Sequence, residues 1–87
     1  MARYRLRIKP SAVREIEAVT SQQDRQRIVG RIQALAEDPR PPGCEKLSGQ
    51  RDRYRVREGR YRIVYSIEDR DLVVYVVKVG HRRDGYR

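Results

Sequence analysis

The residues in this chain best suited to chemistry are arginines. Tyr54-Arg55-Val56-Arg57-Glu58 and Tyr61-Arg62-Ile63-Val64-Tyr65 alternate polar and apolar side chains, the pattern of half-buried strands. Gly59-Arg60 between them suits a two-residue hairpin of type II′, with glycine first. A loop of that length pairs Glu58 with Tyr61, Arg57 with Arg62, Val56 with Ile63, Arg55 with Val64 and Tyr54 with Tyr65. Tyr54, Val56, Ile63, Tyr65 and Ile67 then form a core face, and Arg55, Arg57 and Arg62 crowd the other. Like charges directly opposite across a ladder repel. Arg57 facing Arg62 is therefore either fully solvated or serves to hold an anion. A phosphate suits the second use: guanidinium forks match its oxygens and can stabilise the extra charge of a phosphorane.

The end of the chain supplies a second group, Val79-Gly80-His81-Arg82-Arg83-Asp84-Gly85-Tyr86-Arg87. His81, the only histidine, could act as acid or base near neutrality, or be an ordinary polar residue. Tyr86 could stack on a base, or simply pack. Arg82 and Arg83 either extend the phosphate contacts or form a solvated basic tail.

The rest of the chain must position these groups. Its 87 residues fit one domain, near the lower size limit for a self-sufficient core. Lys and Arg number 21 against 12 Asp and Glu, giving a net charge of +9. Of the basic residues 18 are Arg, a bias that points to nucleic acid; an Arg-rich proteome is the plain alternative. Hydrophobic residues make up 38%, too many for a disordered basic tail and too few for a membrane protein. The longest apolar run, Leu72 to Val77, falls far short of the roughly 20 residues of a membrane span. Met-Ala-Arg-Tyr-Arg at the start has no apolar segment, so no secretory signal is expected. A single cysteine, Cys44, leaves no internal disulfide and no cysteine-based zinc site. A soluble, cytoplasmic protein without a cofactor or membrane partner is expected.

Tyr4 to Lys9 alternate as a strand, which Pro10 ends, with Ser11 as helix N-cap. Ala12, Val13, Ile16 and Val19 follow helical spacing, a break falls at Thr20-Ser21, and a second helix runs from about Gln22 to Glu37. Its apolar stripe is Ile28, Val29, Ile32, Leu35 and Ala36. Gly30 within it suggests a close helix–helix contact. Asp38-Pro39 stops the helix, and Pro41-Pro42-Gly43 makes a stiff loop. Three strands follow, Tyr54–Glu58, Tyr61–Ile67 and Leu72–Val79, the last two joined by Glu68-Asp69-Arg70-Asp71. Pairing Ile67 with Leu72 adds Val74 and Val76 to the core and turns Tyr75 and Val77 outward. The order β-α-α-β-β-β predicts a two-layer α+β domain. The N-terminal strand and helical hairpin pack with a mostly antiparallel four-stranded sheet, both helices on one face. The helical segment 11–38 is net −1, whereas 1–10 carry +4 and 39–87 carry +6, so the positive excess belongs to the sheet and its loops.

Lys46-Leu47-Ser48-Gly49, Tyr54-Arg55-Val56-Arg57, Gly59-Arg60-Tyr61-Arg62-Ile63-Val64-Tyr65, Val79-Gly80-His81-Arg82 and Tyr86, in that order, resemble the RelE/ParE superfamily of bacterial and archaeal toxins. The resemblance covers nearly the whole chain. It implies the toxin of a type II toxin–antitoxin system, and on the RelE branch a ribosome-dependent mRNA endonuclease acting in the A site without a metal. There the 2′-OH attacks the adjacent phosphate, leaving a 2′,3′-cyclic phosphate and a 5′-OH. The superfamily's two basic hairpin positions fall on Arg55 and Arg57, its phosphate-binding arginine on Arg62, a tail arginine on Arg82 and a tail tyrosine on Tyr86. The RelE archetype has lysines where Arg55 and Arg57 stand. Arginine effectively never loses its proton, so these two can stabilise charge but not act as bases; a base would have to be Tyr86, His81 or a ribosomal group. The resemblance also implies a cognate antitoxin with an acidic segment for the basic face, and operator DNA contacted mainly through the complex. The alternative on the same fold is a ParE-like inhibitor of DNA gyrase that cuts no RNA. A third is a non-toxic module that only binds antitoxin and operator.

Overall fold

A computed structural model describes residues 3–49 and 52–81. The candidate residues Arg82, Arg83 and Tyr86 lie outside this range. The elements are β1 (Arg5–Ile8), α1 (Pro10–Glu17), α2 (Gln22–Leu35), β2 (Glu45–Lys46), β3 (Arg53–Glu58), β4 (Tyr61–Glu68) and β5 (Val73–His81). They form one sheet in the order β1-β5-β4-β3-β2. The α+β layering is as expected, but the described sheet has five strands rather than four. The added strand is β2, whose two residues pair Glu45 with Arg55 and Lys46 with Tyr54, too short to show any periodicity. β1 lies at the opposite edge, parallel to β5, with Leu6 beside Val74 and Ile8 beside Val76.

The β3–β4 hairpin has the register that the turn length dictates, from Glu58↔Tyr61 to Tyr54↔Tyr65. Gly59 takes φ +59° while Arg60 stays out of the left-handed region, so glycine occupies the first turn position, where a side chain would be strained. The β4–β5 register differs from expectation. Ile67 faces Val74, not Leu72, and Leu72 adopts φ +55° in the turn. Farther along, Tyr65 pairs with Val76 but Val64 with Lys78, leaving Val77 as an extra residue on β5. This bulge keeps Val74, Val76 and Val79 all in the core and releases Lys78 to the other face. Without it, the two-residue period would drive Lys78 into the apolar layer, which costs far more than a local kink. Two residues past the bulge the Val79 N–H is held from the helix layer: Glu15 of α1 accepts it at 2.8 Å.

Both helices cover one face of the sheet. Ala12, Val19, Ile28, Ile32 and Leu35 meet Val56, Ile63, Tyr65, Ile67, Val74, Val76 and Val79 in one cluster. Each fully buried aliphatic side chain here is worth roughly 1.5–3 kcal/mol of transfer free energy. The helix starts and stripes differ in detail from the pattern reading. Pro10 ends the pairing of the first strand, which reaches the Lys9 N–H, and is also the first residue of α1, as proline's missing N–H and fixed φ allow; Lys9 rather than Ser11 is the N-cap, and Ser11 lies inside the helix. Ser21 caps α2 by accepting the Asp24 N–H at 3.2 Å. Val13 and Val29 are exposed at 37% and 39%, because a helix on a flat sheet buries a narrower stripe than the apolar residues alone suggest. Gly30 is exposed, and a Cβ there would meet nothing within 4 Å, so no close helix contact explains it.

One polar clasp fixes the strand ends. Arg40 forks onto Asp69 at 2.9 and 3.2 Å, Tyr4 donates to the same carboxylate at 2.7 Å, and Arg40 lies 5.2 Å over the Tyr54 ring. Beneath it the fully buried Tyr65 stacks on Tyr54 and donates to the Pro39 carbonyl at 2.7 Å. The clasp joins the N-terminal strand, the loop after α2 and the β4–β5 turn.

Candidate anion site on the open sheet face

The sheet face away from the helices carries the candidate chemistry. Successive pairings place Arg57, Arg62 and Gly80 in one row across β3, β4 and β5, and Glu45, Arg55, Val64 and Lys78 in the next row across β2 to β5. Alternation along each strand turns all of these side chains to the same side. Leu47, Arg55, Arg62, Val64, Lys78 and Gly80 line a small concavity of about 80 Å³ there. The structure therefore brings together Arg55, Arg57 and Arg62.

The three arginines are not equivalent. Arg62 is only 4% exposed; its cross-strand neighbour Gly80 has no side chain to compete for space. Arg57 is exposed opposite it. Arg55 is half-buried, and its Nε lies 2.8 Å from a Glu45 carboxylate oxygen. Glu45 reports on the whole group. Its carboxyl is held below the ordinary carboxylate range first by the hydrogen bond and charge of Arg55, then by the charges of Arg57 and Arg62, against partial desolvation. One carboxylate thus feels all three guanidinium groups.

Lys78 is a cation that the sequence pattern did not select. Its row places it beside Val64, in line with Arg55, and its ammonium stands 3.5 Å from Glu15, past the stretch of β5 that β1 covers. The signal was present: Val76, Lys78 and Val79 cannot all satisfy one alternation, so a charged residue inside an apolar strand implied a break.

His81 is placed elsewhere. The bulge and Val79 in the core turn His81 toward the helix side, where its ring meets Tyr61 edge-on at 5.3 Å and 77°. His81 and Tyr61 line a cleft of about 360 Å³ with Glu15, Thr20, Lys78 and Gly80, the last two of which also line the arginine-side concavity. The histidine thus stands across the sheet from the arginine cluster.

The comparisons with known proteins agree with this fold. The model of one family, the ParE toxin of type II toxin–antitoxin system, parDE, matches residues 6–86. No curated protein sequence matches the chain. Among solved structures, the archaeal RelE–RelB complex from Pyrococcus horikoshii superposes with a TM-score of 0.82 at 28% identity, covering all of both chains. A mutant E. coli RelE toxin bound to an antitoxin RelBc peptide gives 0.75 at 31% identity, over 93% of this chain and 84% of that one. The RelBE2 toxin–antitoxin complex from Mycobacterium tuberculosis shares the fold, with a TM-score of 0.79 at 23% identity over 92% of this chain and 99% of the other.

Proposed function

The chain belongs to the ParE toxin family of type II toxin–antitoxin systems and has a RelE-like structure, and from that premise we propose that it acts as a metal-independent, ribosome-dependent mRNA endonuclease. The observation that carries this reading is the convergence of Arg55, Arg57 and Arg62 on one open face, with a single carboxylate already drawn into their field. Such a cluster suits an RNA phosphate. In the A site the 2′-OH would attack the adjacent phosphorus, its proton passing to a base, and the 5′-oxygen would leave with a proton, giving a 2′,3′-cyclic phosphate and a 5′-OH. Arg62, buried as far as its guanidinium Nε and Nη1, lies beneath the developing phosphorane charge; Arg55 and Arg57 position the strand and share that charge. Since guanidinium groups cannot deprotonate, the base is assigned to Tyr86 or to a ribosomal group, and Arg82 and Arg83 assist electrostatically. His81, whose ring meets Tyr61 on the helix side of the sheet, is given no role in this scheme.

The partners follow the same logic. The solved relatives include RelE toxins in complex with RelB antitoxins. A cognate antitoxin whose acidic segment covers the arginine face would neutralise this chain, with operator DNA contacted through the complex. A second reading, inhibition of DNA gyrase without RNA cleavage, has one specific support: the matching family is that of parDE.

In vitro translation with primer extension on the mRNA decides between them. Codon-specific stops are expected, weakened about 10²–10³-fold by Arg62→Ala and unchanged by His81→Gln. Because Arg62 is buried, the variant's thermal melt is measured in parallel. Inhibition of gyrase supercoiling with no cuts on translating ribosomes would reverse the conclusion.

A further inference from the structure

The open sheet face does not end at the arginine cluster. Beyond the bulge, the next row in register is Arg7, Tyr75, Ser66 and Arg53, spanning β1, β5, β4 and β3. It is followed by Arg5, Val73 and Glu68. Tyr75 is half-buried, and Arg7 and Arg5 are exposed beside it. Ser66, its neighbour on β4, is too short to cover the ring. Arg5, Arg7, Val73 and Tyr75 line a cleft of about 400 Å³ together with Glu68 and Asp71, which stand toward the β4–β5 turn. An aromatic ring with an open side, in a row flanked by guanidinium groups, is the arrangement that holds an unpaired base and its phosphates.

We infer that the Arg7–Tyr75–Arg53 row is a second nucleotide subsite, on which Tyr75 stacks a base of the same single-stranded RNA that the Arg55–Arg57–Arg62 cluster holds by a phosphate. The inference rests on the proposed RNA-directed function and extends it to substrate length. The separation supports one continuous strand. Arg62 and Ser66 stand four residue steps apart on β4, roughly 13 Å at 3.3 Å per step. That distance is about four nucleotides of stacked strand at 3.4 Å each, and fewer of an extended one. Charge sets the direction in which the track ends. Among the described residues in these rows, six arginines (Arg5, Arg7, Arg53, Arg55, Arg57 and Arg62) share the face with two carboxylates, Glu45 and Glu68, while the Lys78 ammonium reaches back to Glu15 of α1. Glu68 and Asp71 repel phosphate at the turn end, so the strand stops at Tyr75 rather than running on over the β4–β5 turn. The bulge contributes to the geometry, since with Val77 paired regularly the lower and upper rows of β5 would face opposite sides of the sheet.

The probe is a fluorescein-labelled 2′-O-methyl octaribonucleotide, which lacks the attacking hydroxyl and stays intact; binding to the full chain is read by anisotropy over a salt series. Tyr75→Leu, which keeps bulk but removes the stacking face, is expected to weaken binding about 5- to 150-fold. Tyr75→Phe is expected to bind within about twofold of the parent, since the stacking face is kept. Arg7→Gln, an exposed change on an edge strand, is expected to lower the log–log salt slope by about 0.7. Should Tyr75→Leu unfold, Arg7→Gln still decides. Octanucleotide binding by Tyr75→Leu and Arg7→Gln at the parental level, while Arg62→Ala loses affinity, overturns the subsite and leaves the phosphate cluster standing. Loss with Tyr75→Leu and none with Arg62→Ala supports the subsite and refutes the cluster. If the two substitutions weaken only capture of an acidic antitoxin peptide, the face is a protein-docking surface and the inference fails.

Discussion

Replacing Arg57 by Gln should stabilise the protein and impair it at the same time. Arg57 and Arg62 are direct cross-strand partners on the same side of the hairpin. Like charges so placed cost roughly 0.2–1 kcal/mol. Glutamine keeps much of the stem and the polar tip, so the substitution removes chiefly the repulsion. For 87 residues at about 2.1 cal/mol/K each, the unfolding entropy is about 180 cal/mol/K, so the gain corresponds to a rise in Tm of about 1–5 °C. The rise should be present at about 0.01 M salt, where screening lengths reach about 30 Å, and should vanish toward about 1 M, where they fall to about 3 Å. Arg53→Gln is the control: Arg53 faces Ser66 rather than a cation and should show no comparable salt-dependent gain. Over the same salt series, RNA binding by the Arg57 variant should lose about 0.7 of log–log slope, one phosphate contact fewer. Calorimetric melts of the three proteins and an anisotropy titration are sufficient. A Tm that is unchanged or lowered at low salt would refute the reasoning, because the pair would then carry no electrostatic strain for an anion to relieve.

Two further outcomes follow from the core and the clasp. Tyr65→Phe removes the donor to the buried Pro39 carbonyl and should cost about 1–2 kcal/mol, a fall in Tm of about 5–10 °C by circular dichroism. Asp69 is held near a pKa of about 2 by the Arg40 fork and the Tyr4 hydroxyl. Its folded pKa lies below that of the unfolded chain, so its contribution is complete above about pH 4 and is lost as the pH falls toward about 2. Acid titrations should show Asp69→Asn with a flatter stability profile across that window than the parent protein, and parallel profiles would remove Asp69 from the acid response.

What the sequence determined by itself was local. The two-residue Gly59-Arg60 turn fixes the β3–β4 register because a loop of that length leaves only one pairing, and the register alone groups Arg55, Arg57 and Arg62 on one face. Helix positions were legible from apolar spacing and from Pro39 and Ser21, although how wide a stripe each helix buries depends on the surface it meets. The tertiary structure decided the rest. Nothing within Arg5–Ile8 says that it runs parallel beside β5, since edge placement depends on where the connecting helices return the chain. Nothing periodic marks Glu45–Lys46, so the carboxylate that meets Arg55 came into view only with the sheet. The decisive case is Val77. Side chains alternate with a period of two, so one inserted residue reverses the facing of every position after it. That single offset puts Val79 in the core, brings Lys78 to the arginine face and carries His81 to the opposite side. Its placement is a compromise between burying valines and keeping a lysine in water, and that balance is struck only when the helices close over the sheet.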